Sequence, residues 1–441
     1  MADVVKRGAI AGLAVAGISV VGTQGVADSA AQYQTYLETL RLGDFTKLAK
    51  LEFLDEAGNV KFSMDNNAMN RHSGAFIQSG SISCNKQNGA RRTASITLAN
   101  TDGDYDFAVN KMWYGQQIRL SEGMILPDGT EFYIPQGIFE IENPTESIQP
   151  GTNTITYTLV DKWANLDGTL FGNLEDVYQV EAGTNILTAI AALLRMDRYD
   201  MTPNGDHPID SLAPVFTNYY NGKTQELTDG TVVSLINAPY DYLSNSSGTL
   251  ADVVTGLVEM IAGEVGYNQI GRLVVTPSQD DLSDANKPVL WDFREDEKAL
   301  VSLSYAVKSS DVYNDVIVVG ATSDTNYTPR GRAENTDPAS DTCISRIGRK
   351  TIRYEMGDYY SDDVCQSYAD WQLKRISALS KQVTVTCSQM FHIVEDGLIT
   401  IRRDDKPGSP TERHVVQGFS RPIAQTGNMT INAISVNDIL T

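Results

Sequence analysis

The chain has 441 residues, 41% of them hydrophobic, and a formal net charge of −21. That is enough apolar chain for about two to four domains with real cores, which argues against disorder. The acidity argues against a free-standing nucleic-acid reader working through a basic patch, although an acidic wall suits a conduit to which DNA must not stick. Cysteine is sparse (Cys84, Cys343, Cys365 and Cys387), without C-x-x-C spacing. A zinc ribbon and a thioredoxin-like site are therefore unsupported, and ordinary buried thiols are expected.

At the N-terminus Lys6 and Arg7 precede an apolar run of fifteen residues, Gly8–Gly22, with small residues around Ala27–Ala31. The layout mimics a secretory signal, but the run is short of the ~20 residues that span a bilayer. The preferred reading is a close-packed assembly arm. Gly8, Gly12 and Gly17 leave room for a neighbouring backbone, and Ile10, Leu13, Val15 and Ile18 supply apolar contacts. An uncleaved signal peptide is the second reading and a membrane-active element the third. Tyr33, Tyr36, Leu37 and Leu40 then fall at i, i+3, i+4 and i+7, which predicts a helix over Ala31–Leu42.

The pattern changes to period two. Lys47–Leu54 and Val60–Met64 flank a Gly-containing turn at Asp55–Asn59. Ile77–Cys84 and Arg92–Leu98 flank Asn88-Gly89, a strong hairpin signal. Gln117–Leu120 and Glu131–Ile134 flank Pro127-Asp128-Gly129, and Gly137–Glu142 and Thr154–Val160 follow. Eight short strands over residues 45–165 predict a compact β-barrel-like domain after an arm and short helix at 1–44.

Residues 166–300 read as a mixed helix–strand region. Thr184–Met196 places Ile186, Leu187, Ile190, Leu193 and Leu194 on one helical face. Thr249–Val265 does the same with Leu250, Val253, Val254, Leu257 and Ile261, behind a Thr249/Asp252 cap. Asp200–Ser247 reads as loop with a hairpin, and Gly271–Val275 as strand. The charged run Asp292–Lys298 is expected to be a solvated cluster.

Residues 301–441 form a second β-rich, barrel-like region. Val312–Gly320 is a strand with a continuous apolar run, as for burial on both faces. Thr322–Thr342 reads as a long polar surface loop and Asp362–Lys381 as a helix. Strands follow at Val383–Cys387, Leu398–Ile401, His414–Gly418 and Met429–Val436. The expected class is mainly β with α+β elements: two β-barrel-like modules, a helix–strand middle and an N-terminal arm. The chain ends in a sheet, with no appended catalytic module expected.

Chemical motifs are weak. His72, His207, His392 and His414 show no metal-binding spacing and read as solvent or turn histidines. Asn221–Thr224 holds only the G-K-T end of a phosphate loop, with Thr217 where its first glycine belongs. Asp102–Asp106 lacks the calcium-loop spacing. Glu140 and Glu142 share a strand face, as surface carboxylates often do. No catalytic, cofactor-binding or metal residue is assigned, and no enzyme is expected.

Two stretches look familiar. Tyr114–Leu120 (Y-G-Q-Q-I-R-L) followed by Gly137–Ile141 (G-I-F-E-I) resembles the first barrel of baseplate hub and tail-tip proteins of tailed bacteriophages. Asn314–Gly320 (N-D-V-I-V-V-G), the helix at Asp362–Lys381 and the D-G-x-I-x-I strand at Asp396–Ile401 resemble their second barrel. The resemblance covers residues 45–165 and 245–441. It implies a structural virion protein at the distal tail, assembled in the host cytoplasm. It further implies a homotrimer whose two barrels alternate around a ring that matches a hexameric tube, with DNA passing through unread. The implied partners are the tail tube or distal-tail ring protein, the tape-measure protein, and a tip or spike protein. A hexameric distal-tail ring protein is the alternative. A glycan- or cell-wall-binding β-protein is the rival of another class, with Tyr219, Tyr220, Tyr240 and Tyr242 as its candidate aromatics.

Overall fold

The structure, a computed structural model, describes residues 23–435 apart from 68–74, 88, 109–115, 227–230, 240, 246, 262, 278–287, 295–296, 308–311, 323–325, 357–358, 360–361, 378–380, 403–410 and 425. The fold is mainly β, as its alternating segments predict. The assembly contacts expected at Gly8–Ile18 lie outside the described residues, as does His72.

Helix α1, Thr23–Leu42, buries the stripe Tyr33, Tyr36 and Leu40. It ends at Gly43, whose φ of +77° and backbone bonds to Thr39 and Leu40 close the last turn. Strands β1 (Lys47–Leu54), β2 (Val60–Asp65), β3 (Ala75–Asn85), β4 (Arg92–Asn100) and β5 (Gln117–Ile125) follow. The next strand, β6, runs unbroken over Glu131–Ile141. The short strands expected at Glu131–Ile134 and Gly137–Glu142 are thus one. Pro135 and Gly137 read as a break, but the register shifts there, Gly137 facing Leu120 and Pro135 facing Ser121. Gln136 is the extra residue of a bulge, where the missing Pro135 N–H does no harm. Strands β7 (Thr145–Gln149) and β8 (Thr152–Asp161) complete this region, and a 3-10 turn, Lys162–Asn165, leaves it.

The middle region comprises β9 (Gln179–Val180), α2 (Ile186–Leu194), β10 (Val215–Phe216), β11 (Thr224–Glu226), β12 (Val232–Ser234), β13 (Tyr242–Leu243), α3 (Leu250–Glu259), β14 (Gly263–Tyr267) and β15 (Leu273–Pro277). Asn185 caps α2, and Thr249 with Asp252 forms a full capping box on α3. Helix α3 stops before the predicted Val265, because Gly263–Tyr267 pairs with β15 instead. The apolar faces of both helices meet Val265, Leu273 and Val275 in one core.

The last region opens with β16 (Val289–Arg294) and β17 (Leu300–Val307). The expected solvated cluster at Asp292–Lys298 is corrected in part: its start is β16, parallel to a later strand, with Trp291 and Phe293 buried. A small module follows: β18 (Asp315–Val319), β19 (Arg330–Glu334), α4 (Ile344–Ile347), β20 (Thr351–Glu355) and α5 (Asp362–Ile376). Strand β19 lies inside the stretch expected to be loop. Its inward positions are Gly331 and Ala333, too small to register as an apolar alternation, yet this smallness lets α5 approach. Helix α5 ends at Ile376, five residues early, so that β21 (Lys381–Cys387) can begin. Strands β22 (Leu398–Arg402), β23 (Glu412–Ile423) and β24 (Met429–Ser435) follow.

The first and last regions share one sheet, in the order β17-β21-β24-β23-β3-β4-β8-β6-β5-β1-β2. Strand β23 is the splice. Its start pairs with β22 (Leu398 opposite Val415), its end pairs with β3 (Phe419 opposite Cys84), and a bulge near Gln417 separates the two. The two barrel-like regions are thus joined edge to edge, and among the described residues no strand pair closes either into a barrel. The largest core sits under the splice and receives α1.

The packing of α5 on β19 gives a direct test. A Cβ at Gly331 would fall 2.3 Å from the Cys365 backbone. Gly331→Ala is expected to destabilise the small module by about 1–3 kcal/mol, seen as a lower urea midpoint with unchanged slope.

Candidate functional site: a buried three-way junction

A dense polar cluster lies where the first, middle and last regions meet. Arg92, at the start of β4, is 1% exposed. One guanidinium nitrogen donates to the Tyr267 carbonyl at the end of β14, and another pairs with Glu395, in the loop before β22. Cys84 on β3 donates its thiol to the same carboxylate at 3.4 Å, and Arg91 stands 3.8 Å from its other oxygen. Lys86 repeats the scheme, pairing with Glu264 of β14 at 3.1 Å and with Asp396 at 2.6 Å. Each of the two cations therefore ties the same three stretches of chain.

Around them, Asp161 accepts from the backbone N–H of Arg91, Arg92 and Trp163. Lys162 donates to Asp210 at 2.7 Å and lies over the Tyr267 ring. A second clamp sits further along β23. Arg421 donates to Glu122 of β5 at 2.8 Å and to Gln136, the bulged residue of β6, which itself donates to the Phe391 carbonyl. The bulge aims that side chain inward. Helix α1 is seated by Tyr36, whose hydroxyl accepts from Phe391 N–H and meets His392 Nδ1 at 2.9 Å. His392 Nε2 faces the Leu290 carbonyl at 3.2 Å. That neighbour requires a donor, so Nδ1 is the acceptor for Tyr36.

The electrostatics separate the two carboxylates. Burial raises the Glu395 carboxyl, but Arg92 and Arg91 together outweigh it and hold it below the usual range. Burial also raises Glu122, and there Arg421, with a smaller contribution from Lys47, does not compensate. Burial pushes His392 down to about 4.

The residues singled out in the sequence are dispersed. His392 does lie in a turn, as expected, but the turn is fully buried; His414 is neither a solvent nor a turn residue, being buried on β23. His207 is half-exposed beside Glu56. Glu140 is buried and accepts from Gln117 and Asn165, whereas Glu142 is exposed. Asp106 accepts from Asn100 and Asn153, tying its turn to the sheet. Gly222 takes a left-handed turn before β11, and Lys223 lies over the Tyr219 ring. Tyr220 is buried, Tyr242 packs on α3, and Tyr240 lies outside the described residues. All four thiols are buried and unpaired. Among the described residues no three His, Cys, Asp or Glu side chains converge as a metal site. A depression of about 510 Å³ opens beside α3, lined by Trp163, Asp167, Tyr242 and Glu259 among others. Sequence reasoning missed Arg92, Lys86, Arg421, Glu395 and Gln136. Lone charges flanking β-strands look like surface residues, and no spacing rule links positions hundreds of residues apart.

Two outcomes follow. Glu395→Leu is expected to cost about 3–5 kcal/mol, because it strands buried Arg92. The double variant Arg92→Met/Glu395→Leu is expected to recover much of that loss in a urea-denaturation double-mutant cycle. For His392, the unfolded chain takes up its proton near pH 6.5 and the folded chain near 4. Between these values the unfolded state binds more protons, so stability falls as pH is lowered. The fall is expected to be shallower in His392→Gln, measured as urea midpoint against pH.

No protein-family model matches the chain, and no curated protein matches it. Solved structures do. The tail protein from Neisseria meningitidis MC58 aligns with a TM-score of 0.56 at 10% identity, over 90% of this chain and 98% of that one. The 43 kDa tail protein of prophage MuSo2 from Shewanella oneidensis aligns with a TM-score of 0.54 at 11% identity, over 90% of this chain and 100% of that one. Nearly the whole of each neighbour is matched, including the regions that the junction holds together. The chain has the fold of these two tail proteins.

Proposed function

We propose that this chain is a structural protein of a bacteriophage tail and not an enzyme. Within the tail we place it as the hub or tail-tip adaptor that closes the distal end of the tube and carries tip or spike components. The observation that carries this reading is the match over 90% of this chain to nearly all of two tail proteins. The buried junction suits the role, since it fixes three regions against one another in a part that bears load.

A second feature favours self-assembly. Strand β17 (L-V-S-L-S-Y-A-V) has eight residues and no charge, and Val301 on it is 56% exposed. It pairs with β21 on one side, and among the described residues no strand pairs with its other side. Natural sheets protect such edges or cover them. A closed ring of copies would cover it without open-ended growth. The glycan-binding rival finds less support, because Tyr220 is buried and Tyr219 lies under Lys223.

The test is the native mass of the purified chain, with negative-stain images of the same fraction. A three-subunit ring is expected. A six-subunit ring would move the assignment to the distal-tail ring protein. A monomer at high concentration, with no ring on adding tail-tube protein, would overturn the hub reading.

A further inference from the structure

Helix α1 buries its apolar stripe in the largest core, yet few polar ties hold it there. Among the described residues no backbone hydrogen bond joins α1 to another element. Two side-chain ties remain. Arg41, itself exposed, lies 5.3 Å from the centre of the Trp291 ring. Tyr36 makes the other, inside a buried chain of hydrogen bonds. Phe391 N–H donates to the Tyr36 hydroxyl at 2.9 Å, the hydroxyl donates to His392 Nδ1 at 2.9 Å, and His392 Nε2 donates to the Leu290 carbonyl at 3.2 Å. Each donor in this chain has one acceptor.

The chain accepts only one protonation state of His392. A proton on Nδ1 turns that acceptor into a donor. The Tyr36 hydroxyl then faces two donors, Phe391 N–H and Nδ1–H, and its own buried proton loses its acceptor. The surroundings oppose the new charge as well. From α1 the ring faces Tyr33 and Tyr36, and from β16 it faces Trp291. Arg421 on β23 repels an imidazolium there, and Glu122 on β5 is already bonded to Arg421. The ring nitrogens themselves meet only the Tyr36 hydroxyl and the Leu290 carbonyl.

The seat is held by bonds that do not involve α1. The Phe391 carbonyl accepts from Gln136 at 3.0 Å, and the Arg421 guanidinium lies 5.7 Å from the Phe391 ring centre. Leu290 belongs to β16, which is paired with β22. Departure of α1 therefore breaks no strand ladder.

We propose that α1 is an acid-released strap: protonation of His392 unseats the helix while the sheet beneath it stays folded. With α1 seated, the ring takes up its proton near pH 4. With α1 lifted, the ring meets water and takes it up near its ordinary value of about 6.5. Between these values the released state binds more protons. Lowering the pH through that window therefore shifts the balance towards release, by on the order of a hundredfold.

The experiment is amide hydrogen exchange of the full chain, read by mass spectrometry at about pH 7 and about pH 4.5 and corrected for the intrinsic rate at each pH. Peptides from Thr23–Leu42 are expected to lose protection by on the order of a hundredfold at the lower pH, while those from β3, β4 and β8 keep theirs. His392→Gln and His392→Asn lack the titrating ring, and in either one α1 protection is expected not to change with pH. Strand protection at neutral pH checks that each variant folds. Tyr36→Phe keeps the histidine and is expected to raise α1 exchange about tenfold at neutral pH with the strands unchanged. Wild-type α1 that stays protected at the lower pH overturns the proposal, as does loss of α1 and strand protection together. An unchanged pH response in a folded His392 variant overturns the role of the histidine, and α1 equally protected in Tyr36→Phe overturns the seat.

Discussion

A guanidinium removed from water must be paired or it destabilises the structure by several kcal/mol, and Arg92 meets that requirement only with help from distant chain. Its carboxylate partner, Glu395, comes from the last region, and its carbonyl partner, at Tyr267, from the middle region. None of the three regions can bury this charge alone. Lys86, half-buried beside it, ties the same three regions through Glu264 and Asp396. The regions are therefore coupled in stability, because separating any one exposes or strands charges belonging to the others.

The β23 splice depends on this coupling. A twelve-residue strand that changes partner midway, from β22 to β3, needs a local bend, and the bulge near Gln417 provides it. A bulge weakens a ladder, however, so the joint needs support from the side. The Arg421 clamp supplies it from one flank through Glu122 and Gln136, and the Arg92 clamp from the other through Glu395. Helix α1 then covers the apolar interior beneath, fixed by Tyr36 on His392 and Phe391. The result is one extended sheet with a reinforced centre and strand edges at its two ends, which is a suitable element for building a larger object.

Much of the local structure was legible from the chain alone. The period-two runs at Lys47–Leu54 and Arg92–Leu98 became strands, because alternation states directly which face is buried. Thr249 and Asp252 became a capping box, because a cap is a contact between near neighbours. The misreadings share a cause. At Pro135–Gly137 local breakers were absorbed by a bulge, and at Arg330–Glu334 the inward residues were too small to leave an apolar signal. The burial of His392 was missed because one histidine in a turn carries no pattern, whereas it is covered by Tyr36, 356 positions away.

The sequence by itself determined the class of the fold: mainly β, acidic, rich in short strands. Those properties follow from composition and near-neighbour spacing, which determine secondary structure and surface charge. Only the tertiary structure decided that the first and last regions share one sheet, and that Arg92, Lys86 and Arg421 hold it together. Those facts are long-range pairings, and a charge or a small residue in a strand has the same local pattern whether it meets water or another part of the chain.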